Sequence, residues 1–292
     1  MKKMNRRIFL DRSAKAAAGV SLAGVPWLTK GMPSPAARTT GEGDSNRQVP
    51  FQLGMASYTF REFGLEETLA MTKRLGLSRI AFKDFHLSLD SPPERIQRTA
   101  ELVSQAGLEL YGCGVVYMNN RTEVERAFAY ARTAGMGIII AVPDLPLLDY
   151  VEQQIRKTGI RVAIHNHGPG DRLYPTPQSA YTHIKGRDSR LGLCIDVGHT
   201  MRAGVDPAQA VSNLADRVLD VHLKDVSSAD AQGGTIEIGR GVIDIQALCR
   251  TLIEIDYSGT ASFEFEKDGK DPLPGVAESV GYVRGVLDSL EA

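Results

Sequence analysis

Residues 191–199 read LGLCIDVGH. Five apolar or small residues run without interruption into an aspartate, and a histidine follows three positions later. A short apolar run with no polar alternation is the pattern of a strand buried on both faces, as in a parallel sheet covered by helices. The stretches around it repeat the form. RVAIHNH (161–167) and RVLDVHLKD (217–225) are apolar runs that end in histidine, and GTASFEFE (259–266) ends in two glutamates. Of the six histidines, five stand just after such runs: His86, His165, His167, His199 and His222. His183 sits in a polar stretch.

Working outward, eight runs of this kind follow one another from Phe51 on: FQLGMASY, SRIAFK, ELYGCGVV, MGIIIAV, IRVAIHN, LGLCID, RVLDVHL and GTASFEF. Between them lie stretches with apolar residues three and four apart, among them LEETLAMTKRLG, ERIQRTAELVSQAG, EVERAFAYARTAG and DIQALCRTLIEI, which predict amphipathic helices. Gly76, Gly107, Gly135 and Gly159 stand where such helices stop. Eight strand–helix units predict a single-domain α/β fold, a (β/α)8 TIM barrel over 51–292. An open doubly wound sheet is the structural alternative. A Rossmann site is unsupported, because no GxGxxG follows the first strand.

The chain has 292 residues, 42% of them hydrophobic, and a formal net charge of −1. That suits one full core and gives nucleic acid or an anionic membrane little to hold. Cys113, Cys194 and Cys249 are odd in number and widely spaced, which predicts buried fillers rather than a disulfide framework or a zinc knuckle. Residues 1–37 differ in composition. A basic start containing Arg6-Arg7-Ile8-Phe9-Leu10, a short Gly/Ala-rich apolar run and small residues at 34–37 resemble a twin-arginine signal peptide. The run is too short and too weakly apolar to span a bilayer well. The expectation is an exported, periplasmic protein with a linker over 38–50 and no membrane insertion of the mature chain. Its oligomeric state is not legible.

In a parallel barrel the active site lies at the carboxyl ends of the strands, so polar residues at strand ends share one mouth. The fifth strand brings His165-Asn166-His167, the sixth Asp196 and His199, the seventh His222 and Lys224-Asp225, and the eighth Glu264 and Glu266. One donor from each of four neighbouring strands meets the need of a divalent cation for convergent electron pairs on rigid elements. At the second strand's end, Lys83 is a candidate to polarise a substrate oxygen and His86 a second acid/base, though an ordinary hydrogen-bonded histidine is an equal reading of His86. Tyr58 offers an apolar wall, with Phe60, and Glu266 a partner for a sugar hydroxyl. Gly239-Arg240-Gly241 reads as a turn, from which Arg240 could reach a substrate oxygen. The long loop GPGDRLYPTP (168–177) is either a lid or an ordered surface excursion.

LGLCIDVGHTMRAG, VLDVHLKDV and GTASFEFE resemble the xylose isomerase-like TIM-barrel superfamily, in particular its sugar phosphate isomerase/epimerase group, with D-x-x-H after strand six, H-x-K-D on strand seven and an E-x-E-like end to strand eight. VAIHNHGP is similar to strand five of one subgroup. The resemblance implies Asp196, His222 and Glu264 as metal ligands, His199 as a contact to substrate or to metal-bound water, and Lys224 as a lining residue. The fifth strand departs from the pattern: the group's epimerases carry a glutamate there, and this chain carries His165, with His167 on the same side of the strand as the alternative ligand. Only the glutamate of strand eight is kept, so one-base chemistry fits better than two-carboxylate epimerisation. The implied activity is metal-dependent isomerisation or epimerisation of a sugar or sugar derivative, with Glu264 as base. Alternatives are a lyase or hydratase acting on a 3-keto sugar or 3-keto-glycoside, and a non-catalytic periplasmic sugar-binding barrel. Two imidazoles and two carboxylates suit Mn, Co or Zn better than Mg. A phosphorylated substrate is disfavoured because no Arg/Lys cluster is evident, and a zinc phosphodiesterase of the endonuclease IV type needs more ligands than the chain offers.

Overall fold

A computed structural model describes residues 49–291. The segment read as a signal peptide, 1–37, lies outside the described residues, as does the linker expected over 38–50 apart from residues 49 and 50.

All eight apolar runs form strands: β1 (Gln52–Ala56), β2 (Arg79–Phe82), β3 (Glu109–Met118), β4 (Ile138–Pro143), β5 (Arg161–His165), β6 (Leu191–Asp196), β7 (Val218–Leu223) and β10 (Thr260–Phe263). They pair in parallel and close in the order β1-β10-β7-β6-β5-β4-β3-β2. A two-stranded antiparallel hairpin, β8 (Asp225–Val226) with β9 (Thr235–Ile236), stands between β7 and the next helix. The helices are α1 (Leu65–Arg74), α2 (Pro93–Gln105), α3 (Arg121–Thr133), α4 (Leu148–Thr158), α5 (Pro177–Ile184), α6 (Val197–Arg202), α7 (Pro207–Asn213), α8 (Ile245–Glu254) and α9 (Leu273–Glu291). Gly107 and Gly135, with φ of +73° and +72°, turn the chain from α2 and α3 into the next strand, a conformation that other residues adopt only with strain.

The main apolar core packs the strands' outward side chains against the helices, with Met55, Phe82, Ile139, Val162, Ile195 and Phe263 all at or below 1% exposure. A smaller cluster, including Ala81, Tyr111, Ile140, Ala163 and Cys194, is separate from it. All three cysteines are free and buried, as expected. Among the described residues no helix is long and apolar enough to cross a membrane.

Three local features differ from the sequence reading. The β6–β7 crossover uses two short helices, α6 and α7, and an excursion of the chain through the β8–β9 hairpin precedes α8. β3 runs on to Met118, with a register shift against β4 between Cys113 and Val116 that carries it further into the mouth.

Candidate metal centre

Alternation along a strand sends every second side chain inward. His165 and Asp196 are the last residues of β5 and β6, and His222 is the last but one of β7. Glu264 follows β10 by one residue, and its amide still donates to the Leu223 carbonyl (3.1 Å), so it keeps the sheet's register. Asp196 also caps α6: Oδ1 accepts from the His199 amide (2.8 Å), which leaves Oδ2 for the centre. Asn166 fixes that turn from β5. Its Oδ1 accepts from the Asp196 amide (3.0 Å), and its Nδ2 donates to Thr200 Oγ1 (3.1 Å).

His165, Asp196, His222 and Glu264 each bring one donor atom to within 4.8 Å of the others, and all four are buried. His165 Nε2 lies 3.2 Å from His222 Nδ1 and 3.4 Å from Asp196 Oδ2, and His222 Nδ1 lies 3.0 Å from Glu264 Oε2 and 4.0 Å from Asp196 Oδ2. Ligands about 2.1 Å from a cation stand roughly 3.0–3.4 Å apart in octahedral or tetrahedral shells. The spacing and the N2O2 donor set therefore fit a divalent transition ion.

The electrostatics set the charge that each donor carries without a cation. Burial lowers the His165 imidazole to about 3, so at neutral pH it is uncharged and offers a lone pair. Burial would also lower His222, but the Glu264 carboxylate beside it, together with Asp220 and Asp196, overcomes burial and raises it to about 9. Burial pushes Asp196 and Glu264 up, yet the Lys224 ammonium, 3.0 Å from Asp196 Oδ2 and 2.8 Å from Glu264 Oε2, holds both well below the usual carboxylate range. Lys224 also reaches Glu266 Oε1 (2.8 Å) and is itself held well above an ordinary lysine: burial opposes its charge, and Asp196 and Glu264 restore it. The neighbouring Asp225 faces away, where its carboxylate accepts from the amides of Gly239, Gly241 and Ile243.

Above the centre lies a cavity of ≈ 220 Å³. It is lined by His165 and Glu264 from the centre, by His167, His199 and Glu266, and by Tyr58, Lys83, Val115 and Tyr117 from the opposite rim. His167 Nε2 is 3.3 Å from Tyr117 Oη, and its Nδ1 is 3.7 Å from Asp171 Oδ2, so the strand-five histidine grouped with the other donors is His165. Burial lowers His167 below its ordinary value. The loop after β5 is an anchored excursion: Tyr174 is fully buried, its hydroxyl donates to the Pro143 carbonyl (2.7 Å), and Asp171 Oδ1 accepts from the Leu173 and Tyr174 amides.

Three candidates are not brought to this cavity. Phe60 is fully buried in the apolar core. His86 is buried between Ser57 Oγ and Thr68 Oγ1, each 2.9 Å from a ring nitrogen, and Nε2 also lies 3.2 Å from the Phe63 carbonyl. Arg240 is exposed and paired with Glu278 (2.6 Å). Its two flanking glycines wrap the Asp225 carboxylate, which makes the segment a turn. Conversely, sequence reasoning gave no role to Asn166, Tyr117 or Asp220. Asp220 is fully buried two residues before His222, 3.8 Å from its Nε2, and burial raises its carboxyl to about 7. Strand alternation from His222 could have found it.

Residues 145–286 match the xylose isomerase-like TIM barrel family. Over 107 residues the chain is 33% identical to the inosose dehydratase of Geobacillus kaustophilus (strain HTA426); the match covers 32% of this chain and spans about a third (33%) of that protein's length. Among solved structures, an uncharacterised protein of Parabacteroides distasonis ATCC 8503 is 27% identical with a TM-score of 0.64, covering 81% of this chain and 99% of that one. An L-ribulose 3-epimerase, 18% identical, has a TM-score of 0.65 over 82% of this chain and 95% of its own, a likeness of fold. The chain is thus a closed eight-stranded parallel barrel whose residues 145–286 match the xylose isomerase-like TIM barrel family.

Proposed function

We propose that the protein is a divalent-metal-dependent enzyme that removes a proton beside the carbonyl of a sugar or sugar derivative, and so acts as an isomerase or epimerase. The observation that carries this reading is the convergence of His165, Asp196, His222 and Glu264 from four adjacent strands under a polar cavity. A cation held by these four would polarise the substrate carbonyl as a Lewis acid. Glu264 is the base. Lys224 keeps it ionised through Oε2, and Oε1 makes no hydrogen bond among the described residues. His167 and His199 stand on the cavity wall where a substrate hydroxyl would exchange a proton, and Lys83 and Glu266 face the sugar's remaining oxygens. Tyr58 and Tyr117 supply apolar faces for the ring.

A dehydratase is the second reading. The inosose dehydratase relative favours it, as does His165 in place of a second carboxylate: one base takes the proton beside the carbonyl, and a wall histidine, His167 or His199, gives a proton to the hydroxyl that leaves as water. The twin-arginine-like start, Arg6-Arg7-Ile8-Phe9-Leu10, supports work in the periplasm, which a reporter fused behind residues 1–37 would test.

The central experiment is metal analysis of the purified protein, followed by incubation of the Mn-loaded form with aldo- and keto-sugars in D2O. The expected result is deuterium beside the carbonyl, with Glu264→Gln slowing exchange by about 10²–10⁴-fold. Product analysis then separates isomer from eliminated sugar. Sugar binding without exchange in the metal-loaded wild type would favour a binding protein, and failure to take up any transition ion would sink the proposal.

A further inference from the structure

A second cavity of ≈ 280 Å³ adjoins the one above the metal centre and shares Lys83, Val115 and Tyr117 with it. The Lys83 ammonium donates to the Val115 carbonyl (2.5 Å), forming a sill between the two. Tyr117, 52% exposed, stands at the same boundary, its ring stacked on His167 at 5.8 Å and 21°. The second cavity is built from the loop after β2, the end of β3 and the start of α3, so it opens at the carboxyl end of the barrel beside the first.

Its charges decide what it can hold. Arg126 is paired with Asp90 (2.7 Å), and Lys83 is engaged with Val115. The Glu123 carboxylate accepts from the Asn119 amide and from the Asn119 and Asn120 side chains. Asp84 lines the cavity, is exposed, and makes no hydrogen bond or ion pair among the described residues. An anionic group would meet a lining with three carboxylates (Asp84, Asp90, Glu123) against two cations (Lys83, Arg126), where Arg126 is already paired and Lys83 stands alone without a carboxylate partner among the described residues, whereas phosphate recognition relies on clustered, unspent Arg or Lys donors. A neutral polyol is accommodated: a carboxylate accepts from two vicinal hydroxyls, and an aromatic face covers a sugar's C–H surface.

We infer that this flanking cavity binds a second, uncharged sugar ring, so that the substrate is a glycoside whose reacting unit lies over the metal centre and whose other unit crosses the sill beside Tyr117. The inference rests on the reading given under Proposed function and narrows its substrate class.

Binding tests it without turnover. Calorimetry on the Mn-loaded full chain would compare glucose with trehalose, maltose, cellobiose and lactose. At least one disaccharide is expected to bind about tenfold more tightly than glucose, a margin of about 1.4 kcal/mol. Asp84→Ala, and Ser88→Phe filling the same cavity, should each remove that margin while leaving glucose affinity unchanged. The inference is overturned if no disaccharide exceeds glucose, if the margin survives both substitutions, or if glucose 6-phosphate binds more tightly than every disaccharide. A disaccharide preference in a protein that exchanges no deuterium would uphold the second ring and sink the proposed reaction. Exchange on monosaccharides without any preference would do the reverse.

Discussion

Lys224 decides what the centre is in the absence of a cation. It is 3% exposed, and its ammonium touches Asp196, Glu264 and Glu266 at 2.8–3.0 Å. The buried carboxylates thus have a counter-ion before any metal arrives, and a metal must bind against that charge. Replacing it by Met leaves His222, among the described residues, as the sole cation beside those carboxylates, and breaking a buried ion pair costs about 3–5 kcal/mol. Lys224→Met should therefore lower the urea midpoint of the metal-free protein, and Mn should restore most of the loss while binding more tightly than to wild type. Equal losses with and without Mn would mean the lysine only packs. The H-x-K-D spacing marked Lys224 as a lining residue, but its triple ion pair was not legible there, because its partners come from two other strand ends. The convergence of His165, Asp196, His222 and Glu264 was legible, since a polar residue closing an apolar run has one place to point in a closed barrel. His86 was misleading for a local reason: β2 stops at Phe82, and the turn that follows carries the ring down between Ser57 and Thr68.

At the level of elements, one buried carboxylate gathers three amides of a long connection that Ser279, Arg202 and Lys267 also hold. Asp225, fully buried in β8, accepts from the amides of Gly239, Gly241 and Ile243, and so folds the segment before α8 onto the end of β7. Gly241 is required there, since a Cβ would fall 2.1 Å from Asp225 Oδ1. Each amide bonded to a charged acceptor contributes about 1.5–3 kcal/mol, and a buried amide without a partner is costly. Asp225→Ala is expected to destabilise by about 3 kcal/mol or more in urea and to open residues 227–241 to protease in the native state; a melting curve equal to wild type would refute this. Asn166 does the same work between β5 and β6: Asn166→Ala should cost about 1–3 kcal/mol and weaken metal binding measured by calorimetry, because Asp196 loses its anchor. The eight strands and the main helices were readable because each buries a long periodic or uninterrupted apolar face. The α6–α7 pair and the β8–β9 hairpin were not: six- and seven-residue helices and two-residue strands are too short to show a period, and their geometry is set by contacts such as those of Asp225. The β3 irregularity that brings Tyr117 to the rim likewise depends on pairing with β4.

For the whole molecule, the centre links folding, protons and metal with opposite signs. In the metal-free chain His222 is raised from 6.5 to about 9, so the proton it holds stabilises the fold fully below pH 6.5, and that contribution is lost as pH rises through about 9. Asp220, raised to about 7, also lowers stability as pH rises, but its window closes near pH 7. Asp196 and Glu264, held well below their ordinary values, contribute a constant amount above pH 5. Between pH 7 and 8.5 the metal-free protein should therefore become less stable, with His222 responsible. A cation held by these four residues would need the lone pair on His222 Nδ1, the atom that faces the other three donors, so its binding would expel that proton. Metal affinity should then rise by up to about tenfold per pH unit over the same range, and at fixed free Mn the stability gained by ligation rises with it. Urea denaturation at pH 7.0 and 8.5, with Mn and with a chelator, should give a metal-bound increment that grows with pH while the chelated baseline falls, and calorimetry in buffers of different ionisation enthalpy should count about one proton released per ion near pH 7. Parallel pH profiles with and without Mn, or binding that releases no proton, would remove His222 from the ligand set and leave the centre with three donors.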